Sequence, residues 1–189
     1  MQFTLTYIGE LKANGDLAHK HDIRREFHAQ LIVLWQQVPL SQYHYWFDGT
    51  NPKTTTNLNR KVKYFRFVPL VSPSLHLICE LRIFLLKQEP PGSIITQAGD
   101  IDNRLKTLFD ALRVPAENEI PKGAKPKSDE DPFFCLLESD SLISRIAVDT
   151  DRLLKPTQKS TDVHLDIQVT TRPTQTLIGN RASGNMALI

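Results

Sequence analysis

Residues 75–87 constrain the chain most. Leu75, Leu77, Cys79, Leu81, Ile83 and Leu85 fall on one face, and His76, Glu80 and Arg82 on the other. A period of two sustained over this length sets one side of a strand against a core and the other toward water. The same alternation recurs at 161–170, where Val163, Leu165, Ile167 and Val169 oppose His164, Asp166 and Gln168. It appears again at the N-terminus, where Phe3, Leu5 and Tyr7 oppose Gln2, Thr4 and Thr6. Further strands are predicted over 61–69 and 142–149. The link from 142–149 to 161–170 is short and mostly polar, so these two strands are expected to pair antiparallel.

Two segments carry the helical period instead. Ile23, Phe27, Leu31 and Leu34 predict a helix from an Asp22 N-cap to about Gln37, with Pro39 beyond its end. Leu105, Leu108, Phe109 and Leu112 predict a second helix over 102–113 with one buried face. The stretches 38–60 and 114–132 have no period and read as insertions, the latter as an exposed, mobile excursion. The order of elements implies one α/β (α+β) domain over 1–172, a mixed β-sheet with flanking helices, followed by a disordered tail over 173–189. An apolar fraction of 40% suffices for one core. The longest apolar runs, Leu31 to Trp35 and Phe133 to Leu137, fall far short of the ~20 residues of a membrane span. No membrane partner and no signal peptide are expected. Cys79 and Cys135, at no motif spacing, read as buried thiols of a cytoplasmic protein.

Charge is unevenly spread. Residues 1–99 carry eleven Lys/Arg against seven Asp/Glu, whereas 100–140 carry six against ten. A basic body around an acidic segment suits a metal-dependent enzyme acting on a polyanion, although chance also produces such splits. Within the acidic segment, Asp100 and Asp102 flank one residue at a predicted helix start, and Asp102, Lys106 and Asp110 follow at i, i+4 and i+8. Two carboxylates so spaced can converge on a hard cation, and a lysine one turn inside can hold a phosphate. The same residues also make an ordinary N-terminal capping sequence, and one pair can serve both purposes.

The run Asp100-Ile-Asp102-Asn103-x-x-Lys106-x-x-x-Asp110-Ala111-Leu112 resembles the signature of the RusA-like family of Holliday-junction resolvases. Its continuation resembles Glu138-Ser139-Asp140-Ser141-Leu142-Ile143. The resemblance implies a RusA-like fold and a Mg2+-dependent endodeoxyribonuclease, with Mn2+ as a substitute, acting as a homodimer on four-way DNA junctions. It assigns metal binding to Asp100, Asp102 and Asp140 and a catalytic role to Lys106. Asp110 reads as orienting Lys106 or capping local structure rather than binding metal. Three departures stand out: residues 114–132 look inserted before Asp140, Ser139 occupies one position of an acidic pair, and 38–60 is long. Glu138 is therefore a rival ligand to Asp140. Related nucleases acting on flaps, forks or single strands, and an inactive branched-DNA-binding protein of the same fold, are the alternatives.

Weaker signals surround this one. Lys12, Lys20, Arg24 and Arg25 form a basic loop and helix start suited to tracking DNA phosphates, with a merely solvated surface as the alternative. Tyr43-His44-Tyr45-Trp46-Phe47 either stacks on bases or is buried. His19 and His21 offer two ligands for a transition metal but lack a third.

Overall fold

A computed structural model of the chain describes residues 1–50, 56–88, 101–155, 157, 159 and 161–175. The alternating segments are its spine. β1 (Gln2–Glu10), β4 (Leu77–Lys87), β6 (Ile143–Arg152) and β7 (Asp162–Pro173) form one sheet in the order β1-β7-β4-β6. β7 runs antiparallel to both β1 and β4, and β6 runs parallel to β4. β2 (Arg60–Val62) and β3 (Phe65–Val71) make a hairpin, and β5 (Phe133–Leu137) adds to β3 in parallel as a second sheet. Leu81, Ile83 and Leu85 of β4 and Leu165, Ile167 and Val169 of β7 share one core with Val68 and Leu70 of β3 and Leu136 of β5. The chain is thus a mixed α/β fold, as the strand and helix periods imply.

Helix α1 (Leu17–Trp35) lays Ile23, Phe27, Leu31 and Trp35 into that core. Asp16 caps it, accepting the His19 N–H at 2.8 Å, so it begins before Asp22, which sits exposed within the helix. Helix α3 (Ile101–Leu112) matches its predicted span to within a residue. Between α1 and β2, the expected loop contains a 3-10 turn (Leu40–Tyr43) and a short helix α2 (Tyr45–Asp48) ending at Gly49 with φ 73°. Leu40, Trp46 and Leu58 are buried there. The aromatic run is core: Trp46 and Phe47 meet Trp35 edge to face, and Tyr43 lies against Trp46.

Three expectations are corrected. β6 and β7 are not partners, because β4 lies between them; β7 already fills both its edges with β1 and β4. β5 is an additional strand whose five residues are all buried. Such a continuous apolar run is typical of a parallel strand covered on both faces, and it shows no alternation to read. The segment 114–132 is docked rather than free: Ile120 and Glu130 are buried, and Arg25, Arg66 and Arg113 reach Glu130, Asp131 and Glu119. The tail predicted over 173–189 starts later than expected, since Pro173 ends β7 and the Thr174 N–H donates to the His76 carbonyl at 2.8 Å; its remainder, beyond residue 175, lies outside the described residues.

Candidate active site

Helix α3 buries Leu108, Ala111 and Leu112 and packs Leu105 and Phe109 against the core. Asp102 and Lys106 are exposed, one turn apart. Asp110 continues their series but stands ~80° round the axis from Asp102, because each residue advances about 100°. That rotation buries it. Its carboxylate accepts Lys20 Nζ at 2.7 Å and Arg113 Nη2 at 2.8 Å, and Arg113 reaches Glu119 at 2.6 Å. Burial would raise the Asp110 pKa, but the hydrogen bonds and charges of Lys20 and Arg113 outweigh it and hold the group below its ordinary value. Asp110 therefore orients Lys20 and Arg113, not Lys106.

Asp140 opens a 3-10 turn (Asp140–Leu142) between β5 and β6. Ser139 caps this turn, accepting the Ser141 N–H at 3.3 Å, and the turn packs against α3. Asp140 is exposed. Its rival Glu138 is engaged elsewhere: it accepts Arg60 Nε at 2.7 Å, Arg60 Nη2 at 2.9 Å and Ser72 Oγ at 2.5 Å. Burial would raise its pKa, and these partners lower it instead. Of the two carboxylates, only that of Asp140 faces solvent in a turn beside α3. Asp100 lies outside the described residues, and among the described residues no three His, Cys, Asp or Glu side chains form a metal-binding group.

The basic residues divide sharply. Arg24 is 2% exposed and donates to the carbonyls of Asp110 at 2.7 Å and Arg113 at 3.3 Å, so it cannot meet a DNA phosphate. Lys20 is bound to Asp110, and Arg25 to Glu130 at 2.7 Å. These three cations brace α1 against α3 and the 114–132 segment. Lys12 is the exposed member, 3.6 Å from Glu10. The two histidines are engaged apart: His19 Nε2 accepts the Lys12 N–H at 3.3 Å. His21 lies buried between Phe65 and Phe133 with Nδ1 facing Arg24, and burial followed by Arg24 and Arg25 lowers its pKa to about 4.

One feature of the site has only a faint trace in the sequence, the Asn14-Gly15 turn pair. The β1–α1 loop is pinned to α3: the Gly15 N–H donates to Thr107 Oγ1 at 2.9 Å, and Arg104 donates to the Leu11 carbonyl. A Cβ on Gly15 would lie 2.7 Å from His19 Cδ2 and 2.9 Å from Thr107 Cγ2. The Arg104 bond holds the backbone at Leu11, the neighbour of Lys12 in sequence, against α3. Comparison with models of known families, with curated proteins and with solved structures finds no match for this chain.

Proposed function

We propose that this protein is a divalent-metal-dependent, structure-selective DNA endonuclease that cleaves four-way junctions, working in the cytoplasm as a homodimer. The observation that carries the reading is the pairing of an exposed Asp102 and Lys106 on α3 with the neighbouring turn that bears Asp140. The rival carboxylates nearby are engaged: Asp110 is paired with Lys20 and Arg113, and Glu138 is paired with Arg60 and accepts the Ser72 hydroxyl.

Asp102 and Asp140, with Asp100 two positions earlier in sequence, offer only oxygen atoms, the donor set of Mg2+ or Mn2+. Such an ion, when bound, supplies charge to polarise a phosphate and lowers the pKa of a water. Lys106 offsets negative charge on the phosphate oxygens as the phosphodiester is attacked. Lys12, next in sequence to the Leu11 backbone held against α3, adds a contact to the DNA backbone. The two buried thiols, both free, suit a reducing compartment.

The test is nicking of a synthetic four-way junction with and without Mg2+, against linear duplex, flap and fork. Metal-dependent cleavage selective for the junction supports the reading. Cleavage selective for flaps or forks moves the substrate to a related nuclease, and metal-independent junction binding without cleavage identifies an inactive binder. No binding and no cleavage refutes the proposal.

A further inference from the structure

The two outer strands of the four-stranded sheet are finished differently. On β1, Gln30 of α1 acts as a surrogate neighbour: its Oε1 accepts the Thr6 N–H at 2.9 Å, and its Nε2 donates to the Thr6 carbonyl at 2.7 Å. This blunts the edge as natural sheets commonly do. At the other side, β6 pairs with β4 along its length, and among the described residues no strand lies beyond it. Among the described residues a ten-residue edge is thereby left without a neighbouring strand.

The side chains of β6 say what that partner is. Its register with β4 sets Ile146 beside Leu81 and Val148 beside Ile83, on the core side of the sheet. Leu81 and Ile83 are fully buried, yet Ile146 is 46% exposed. Among the described residues the apolar face of the sheet therefore runs one strand past its cover. Arg145 and Asp149 lie on the opposite face with exposed side chains, flanked by Glu80 and Arg82 of β4.

We infer that β6 pairs antiparallel with β6 of a second copy of this chain, about a two-fold axis at Ala147. In that register Arg145 faces Asp149 of the partner, Ile146 faces Val148, and Ser144 faces Thr150, each pair occurring twice by symmetry. Charge meets opposite charge, apolar meets apolar, and hydroxyl meets hydroxyl. Moving the axis one residue either way loses the match of Ile146 with Val148 and leaves Arg145 or Asp149 opposite Ala147. The two open edges close into one continuous sheet. This surface gives the homodimer of the proposed function a location, but it uses no residue of the acidic site, so either reading can fail alone.

The experiment is analytical ultracentrifugation of the full chain at micromolar concentration, with circular dichroism melts as a folding control. The wild type is expected to be dimeric. Arg145→Asp sets two aspartates against each other and Asp149→Arg sets two arginines, so each single variant is expected to lose the dimer. An equimolar mixture of the two variants restores both opposite-charge pairs, and the heterodimer is expected to return. Ile146→Lys breaks the apolar match without altering the charged pairs and is expected to yield monomer. Asp102→Asn is expected to remain dimeric whatever its effect on cleavage. A monomeric wild type would hand the edge to another occupant, whether another segment of this chain or a different protein, and overturn the inference. So would single variants that stay dimeric, or a mixture that stays monomeric.

Discussion

Glu130→Ala separates a docked 114–132 segment from a merely adjacent one. The Glu130 carboxylate is 2% exposed and accepts Arg25 Nε at 2.7 Å and the Lys127 N–H at 2.9 Å, with a longer contact to Arg25 Nη2 at 3.4 Å. Hydrogen bonds to charged groups contribute about 1.5–3 kcal/mol each. Breaking a buried ion pair costs about 3–5 kcal/mol, because the remaining charge is stranded. Arg25 is 25% exposed, so water recovers part of its charge, which sets the expected loss at the lower end, about 3 kcal/mol. For a chain of this size each kcal/mol moves the melting temperature by about 2–4 °C, so a drop of ~6–12 °C is expected by calorimetry. Limited proteolysis within 114–132 should accelerate alongside it. Glu130→Gln keeps the shape and one acceptor and should fall between the two. A melting temperature within about 2 °C of wild type would refute the claim that this pair anchors the segment.

Three further outcomes follow from the same contacts. His21 is buried with a pKa lowered from 6.5 to about 4, so the folded state binds fewer protons than the unfolded state between those values, and stability should fall as pH drops from 6.5 toward 4. Asp110, Glu119 and Glu138, whose pKa values are lowered, contribute stability that is present above the ordinary carboxylate range and lost as pH falls below it, extending the decline; a melting temperature flat from pH 6.5 to 4.5 would contradict the histidine part. Asp102→Asn should abolish metal-dependent cleavage while changing stability by less than about 0.5 kcal/mol, since the side chain is exposed and asparagine also suits a helix start; equal loss of melting temperature and activity would return Asp102 to a capping role. Gly15→Ala should cost about 1–3 kcal/mol by forcing the β1–α1 loop off Thr107 and His19, and should weaken DNA binding as Lys12 moves; an unchanged melting temperature would show that the loop is not pinned there.

Local periods were legible from the residues alone, and long-range partners were not. β4 and β7 could be read because each has one wet face, so alternation records their burial directly. β5 could not, because Phe133–Leu137 is covered on both sides and carries no alternation. The pairing of β6 escapes the sequence for a related reason. A short polar link favours a hairpin, but it says nothing of an earlier strand that can occupy the intervening place, and β4 does so. The apolar period of α1 begins at Ile23 and so points to Asp22 as its cap. Asp16 caps a first turn whose apolar residues, Leu17 and Ala18, are exposed, while the polar Lys20 and His21 turn inward onto Asp110 of α3 and Phe133 of β5, distant in sequence.

The site shows the same limit in its charges. Asp102, Lys106 and Asp110 look equivalent at i, i+4 and i+8, and Lys20, Arg24 and Arg25 look like one basic patch. In the fold, these six residues separate into two groups. Asp110, Lys20, Arg24 and Arg25 turn inward, where each is paired with an opposite charge or a backbone carbonyl. Unpaired, such groups would be costly at that depth. Their pairs fix the C-terminal half of α3 to α1 and to the 114–132 segment. Thr107 and Arg104 tie the middle of the same helix to the β1–α1 loop. Asp102 and Lys106 thus stand on a helix held along one side by charges and hydrogen bonds from two separate stretches of chain, 11–24 and 114–132. Preorganisation of that kind is what an exposed carboxylate and an exposed lysine need to act on a phosphate together, since each must keep its position while solvent and substrate exchange around it.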